Sequence, residues 1–249
     1  MGARRAFTLI ELLVVVAIIA ILLSLMAPTV SRMMVLTQKD TCYSNIHHLS
    51  IAWVNYATNN NMTLVMGCTG GSWAWAYYGD ETYTGDPNHD NARYNLITSG
   101  KLFPYSNEVR YYLCPADPTK RVRSYSITSM MNGQDWGGMP YVVRYTDIKD
   151  PAYSMVFCDE KDYRSNSNMG TFAQDPKCWG TNHWVDYVAT FHDMGDNYGF
   201  ADGHAEWWKW QDQRTLDGSR AQQFYWPDNG NTDLVRIRKA YFNEMEGAW

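Results

Sequence analysis

Six residues near the end of the chain have types that could do chemistry together: His192, Asp193, Asp196, Asp202, His204 and Glu206. Histidines and carboxylates in one short stretch suit a metal site or a hydrolytic centre, provided their side chains converge. His204 and Glu206, two apart, would share one face of an extended strand. The oxygen-rich stretches Asp193 to Asn197 and Asp86 to Asn91 carry ligand types that suit calcium, but neither has the full spacing of an EF-hand loop. A structural reading competes with these. Asp202-Gly203 between apolar runs is a hairpin turn signal, because both residues tolerate positive φ, and His192 could tie the preceding loop to nearby backbone. The hairpin explains these residues with fewer assumptions than an ion or catalysis. No G-x-S-x-G, P-loop, H-E-x-x-H or dinucleotide fingerprint occurs, so the chain reads as a non-enzyme.

A second chemical feature lies at the other end. Glu11 is set in an apolar stretch from Phe7 to Ala27, with no charge from Leu12 to Ala27. That stretch is long enough to span a bilayer as a helix. A carboxylate at the bilayer centre costs roughly 2.5 kcal/mol or more, so Glu11 needs a partner. Arg4 and Arg5 precede the stretch, which under the positive-inside rule keeps the N-terminus cytoplasmic and sends the rest across the membrane. Leu25-Met26-Ala27 before Pro28 is a poor match to a secretory cleavage site. Five cysteines, Cys42, Cys68, Cys114, Cys158 and Cys178, show no C-x-x-C pair. An extracytoplasmic domain could hold one or two disulfides and a spare thiol.

The elements that must position these groups follow from periodicity. Pro28 should bend the helix, but the pattern from Val30 to about Tyr56 stays helical. Met33, Met34, Leu36, Ile46, Leu49, Trp53 and Tyr56 form a stripe at three- and four-residue steps. Adjacent His47 and His48 face different ways and are not expected to share a metal. Beyond Asn59-Asn60-Asn61 the chain reads as short strands broken by Gly, Asn, Asp and Pro. The expected strands are 111–114, 141–145, 155–158, 185–191, 198–201 and 204–210, with a short helix at 91–100. The fold class is therefore α+β, a long N-terminal transmembrane helix packed on an antiparallel β-rich domain. The expected divisions are 1–6, 7–28, 29–60 and 61–249.

Composition narrows the partners. The 249 residues carry 19% charged side chains and a net charge of -5, with Lys and Arg scattered, which argues against nucleic acid. The 11 Trp and 18 Tyr read chiefly as core and half-buried strand residues. A carbohydrate- or cargo-binding surface is the alternative.

The run Arg5-Ala6-Phe7-Thr8-Leu9-Ile10-Glu11 and the apolar segment through Pro28 resemble the type IV pilin and pseudopilin family. The resemblance implies a leader of residues 1–6, cleavage between Ala6 and Phe7 by a prepilin peptidase, and methylation of the Phe7 amine. Glu11 falls at the fifth mature position and Pro28 at the twenty-second, as in that family, whereas Ala6 stands where Gly is usual. It implies too that the freed amine of one subunit pairs with Glu11 of its neighbour. The chain would then be an inner-membrane subunit with a periplasmic domain, joining a homo- or hetero-polymer built by a secretion or pilus machine. Major pseudopilins hold calcium in a C-terminal loop, which keeps calcium a candidate cofactor. His192 and Asp202-Gly203, with nine residues between, resemble a C-terminal signature of a prepilin-like subgroup. So do Cys42-Tyr-Ser-Asn45, Leu113-Cys114-Pro115-Ala-Asp117, Ile148-Lys-Asp-Pro151 and Val156-Phe-Cys-Asp-Glu160. Because both sit in such fragments, Cys42 and Cys114 are the pair a disulfide would join where the sheet meets the helix, with free or differently paired thiols as the alternative.

Overall fold

The computed structural model describes residues 8–67, 94–95, 97–118, 123–133, 141–160, 171–174, 183–186, 188–221 and 226–241. Ala6, Phe7, Cys68, Cys178 and the stretch from Asp86 to Asn91 lie outside them. The chain divides into two compact units, Met1–Thr37 and Gln38–Trp249.

Helix α1 runs from Leu9 to Asn59 and contains Pro28, and a short helix α2 spans Phe103–Ser106. In the first unit the large apolar side chains of α1 are exposed, from Leu9 through Leu36. Its N-terminus has a local cap. Thr8 N and Oγ1 donate to Glu11 Oε2 at 2.8 and 2.7 Å, and Glu11 N donates to Thr8 Oγ1 at 3.3 Å. This Thr-x-x-Glu capping box satisfies donors that a helix start otherwise leaves open.

In the second unit the helix supplies one wall of a core. Cys42, Ile46, Leu49, Trp53 and Ala57 are buried, a stripe at three- and four-residue steps. The exposure of Met33, Met34 and Leu36 ends the expected stripe short of the first unit.

The sheet has five strands in the order β3-β1-β2-β5-β6, with β1 Tyr125–Thr128, β2 Met155–Asp159, β3 Thr171–Phe172, β5 Gly195–Phe200 and β6 Ala205–Lys209. All neighbours are antiparallel except β1 and β3, which run parallel. The sheet is therefore mixed, not purely antiparallel. A separate pair joins β4 His183–Trp184 to β7 Trp226–Pro227. Tyr125, Ile127, Val156 and Phe157 join the helix-side core. Cys158, Tyr198, Phe200 and Trp208 pack in a second core with Leu216 of α3 (Gln213–Ala221) and Leu234 and Ile237 of α4 (Thr232–Tyr241). Burial on both faces leaves β1, β2 and β5 buried at every position. An irregularity between Met155 and Phe157 lets adjacent Val156 and Phe157 serve one face.

Several expected strands are replaced. Residues 109–112 form a 3-10 turn, and 141–145 make only isolated bridges at Val142 and Arg144 before another 3-10 turn at Tyr145–Asp147. In the 185–191 segment the described residues 185–186 and 188–191 form no strand, with a bend at Asp186 and a turn starting at Phe191. Helices α3 and α4 stand where no element was expected. Asp212 and Asn231 cap them, their side-chain oxygens accepting from Arg214 N at 3.0 Å and from Asp233 N at 2.8 Å.

Candidate functional site

The β5–β6 hairpin is present, with a turn chemistry different from the expected one. Among Ala201, Asp202 and Gly203 only Gly203 has positive φ, at +97°. Phe200 N donates to His204 O at 2.9 Å and Gly203 N to Phe200 O at 3.0 Å. This is a three-residue loop ending in a glycine of left-handed sense. Asp202 Oδ1 accepts from His204 N at 3.0 Å and lies 2.5 Å from His204 Nδ1, and Glu206 Oε1 is 3.5 Å from Nε2. These three side chains are partly exposed at the hairpin tip. Asp193 lies in a turn with positive φ, whereas Asp196 and Asn197 are fully buried in β5. The stretch from Asp193 to Asn197 is therefore turn and strand, not one ion-binding loop.

His192 belongs to a different place. Its side chain is fully buried and its Nε2 lies 3.1 Å from Cys114 Sγ and 3.4 Å from Asp159 Oδ2. Cys42 Sγ lies 3.1 and 3.3 Å from the two Asp159 oxygens. One ligand-type atom from each of Cys42, Cys114, Asp159 and His192 falls within 4.8 Å of every other. Four separate elements bring them in: α1, the segment after the 3-10 turn at 109–112, the end of β2, and the turn before β5.

The surroundings organise these groups. Tyr125 Oη donates to Cys42 Sγ at 3.1 Å, and Asn45 Nδ2 donates to Leu113 O at 3.0 Å, beside Cys114. Asn197 Nδ2 donates to Asp159 Oδ2 at 3.5 Å. Burial, with the Asp159 carboxylate nearby, holds the Asp196 carboxyl well above its usual range. Burial alone lowers His192, but Asp159 and Cys114 more than offset this and raise it to about 10. Burial likewise raises the Cys42 thiol. Cys114 moves the other way: burial raises it, but its bonds to Cys42 and His192 win and lower it.

The Cys42 and Cys114 sulfurs lie within 4.8 Å of one another, and both are free thiols in this structure. Cys158 is also free and buried, and it packs in the core on the other face of the sheet. Cys114, His192 and Asp159 together have the composition of a nucleophilic triad. Their geometry argues against one: the same ring nitrogen, Nε2, faces both Cys114 and Asp159, whereas a triad uses opposite nitrogens. Cys114 is moreover 5% exposed, closed to a substrate.

Sequence reasoning missed this convergence. Its signal lay in the fragments themselves, because Cys42, Cys114, Asp159 and His192 each sit in a different one of the family-like fragments. His47 and His48 part company as anticipated: His47 Nδ1 is 2.8 Å from Gly203 O, and His48 stacks on Tyr111.

Residues 1–27 match the family model of the prokaryotic N-terminal methylation motif. Comparison with curated proteins and with solved structures gives no match. The motif and the long apolar helix fit a pilin-like protein. They imply processing by a prepilin peptidase and pilin-like assembly, and they suggest membrane anchoring. The H-x9-DG resemblance has no counterpart in the matched model, which ends before it.

Proposed function

We propose that the chain is a prepilin-like filament subunit, a pseudopilin whose role is assembly, not catalysis. The observation that carries this reading is the methylation motif placed directly on a helix whose apolar side chains are exposed from Leu9 through Leu36. Such a surface demands a bilayer before assembly and neighbouring helices after it. Removal of residues 1–6 frees the Phe7 amine next to Glu11. In a filament that amine reaches the Glu11 carboxylate of an adjacent subunit, so two costly charges neutralise each other. The capping bonds use Glu11 Oε2 and, among the described residues, leave Oε1 for this partner. The cytoplasmic leader, inner-membrane anchor, periplasmic domain and assembly by a secretion or pilus machine belong to the same reading.

The test is co-expression with a prepilin peptidase, followed by mass analysis of the N-terminus. A methylated Phe7 start supports the reading. An intact Met1 start, or a cut near Pro28, overturns it.

A further inference from the structure

We propose that Cys42, Cys114, Asp159 and His192 bind one zinc-class divalent ion in a closed structural centre that ties helix α1 to the sheet. The argument begins with ligand type. Two sulfurs, one imidazole and one carboxylate form a donor set that suits Zn2+ and disfavours the hard, oxygen-seeking Ca2+ and Mg2+. This also moves any ion away from the hairpin and the stretch from Asp193 to Asn197.

Distance is the second step. Zinc–ligand lengths of about 2.0–2.3 Å at tetrahedral angles put neighbouring ligand atoms about 3.3–3.8 Å apart. The contacts found are 3.1 Å for Cys114 to His192, 3.4 Å for His192 to Asp159 Oδ2, and 3.3 Å for Cys42 to the same oxygen. These three pairs reach that spacing by shifts of about a few tenths of an ångström, and the other pairs lie within 4.8 Å.

Charge is the third. Asp159 is a fully buried carboxylate, and a doubly charged ion would offset it together with the two sulfurs that ligation deprotonates. The Tyr125 hydroxyl and the Asn197 amide already point at Cys42 and Asp159, the kind of outer contact that orients ligands. The His192 ring engages the cluster through Nε2, and among the described residues its buried Nδ1 has no hydrogen-bond partner. Four protein ligands and complete burial leave no open position for substrate, so the centre is structural. It joins segments far apart in sequence, where a cross-link restricts the unfolded chain most.

The experiment uses the full chain, purified in detergent under reducing conditions, with Zn2+ and Co2+ as probes. We expect about one zinc per chain by elemental analysis, and a Co2+ form with thiolate charge-transfer bands and intense tetrahedral d–d bands. Cys114→Ser and His192→Gln should lose both signals, whereas Cys158→Ser keeps them. Should those two variants fail to fold, His192→Cys retains a ligand and should bind Co2+ with an altered spectrum. Chelation should also lower the melting temperature of the wild type. A wild type that takes up no metal overturns the proposal, as does one whose Cys42 and Cys114 are recovered as a disulfide in place of the metal. Zinc retained in both Cys114→Ser and His192→Gln overturns it equally.

Discussion

The carbonyl oxygen of Gly203 lies 2.8 Å from His47 Nδ1, so the tip of the β5–β6 hairpin is bonded to the side of helix α1. His192, at the other end of the same motif, meets Cys42 of that helix through the buried cluster. Both ends of the motif therefore fasten the sheet to α1.

Gly203→Ala should destabilise the folded domain by about 1–2 kcal/mol, mostly through its positive φ. The new methyl would lie 2.7 Å from Ile51 Cδ1, the movable end of a half-exposed side chain. Combining it with Ile51→Ala should recover only a small part of the loss. Recovery of most of it in a denaturant-melt cycle would show that the clash, not the backbone, dominates.

Gly199→Ala should cost more, about 2–3 kcal/mol, although its φ is unremarkable. Here β5 passes so close to α1 that a methyl would meet Ser50 Oγ and lie 2.8 Å from Ile46 Cγ2. Ile46 is fully buried and branched at Cβ, so it has nowhere to go. Thermal melts of the two glycine variants side by side check the order.

Asp233→Ala should destabilise by about 2–3 kcal/mol, because it orphans several donors at once. The buried Asp233 carboxylate accepts from Gln211 N, Asp212 N and Thr215 Oγ1 at 2.9–3.0 Å, joining the start of α4 to the start of α3. Asp233→Asn should be milder, since one oxygen still accepts. Equal losses in the two variants would sink this account.

Glu11→Ala should be cleaved and methylated normally yet assemble poorly. Thr8→Val separates the two duties of Glu11, because it removes the hydroxyl partner within the cap and leaves the carboxylate. It should cost about 1 kcal/mol of local helix stability and still form filaments. If Thr8→Val stops assembly as fully as Glu11→Ala does, the cap alone explains Glu11.

The apolar run, Glu11 and the motif at Phe7 were legible in the chain itself, since a membrane-length helix is a local property that hydropathy alone reveals. The stripe Ile46, Leu49 and Trp53 was legible for the same reason, as helical spacing puts those residues on one face. The Asp202-Gly203 hairpin could be placed, but its loop type depended on which residue took positive φ. Strand β1 escaped notice because a strand buried on both faces has no alternation to read, and Ser126 and Thr128 disguise it as polar, whereas β3 has only two residues, too few to show a pattern. Asp159 could not be told from Cys158 as a cluster residue, because which of two strand neighbours faces the helix depends on register. Only tertiary structure could bring Cys42, Cys114, Asp159 and His192 together. Their meeting depends on how β2 and β5 pair and pack on α1, and no local pattern encodes that.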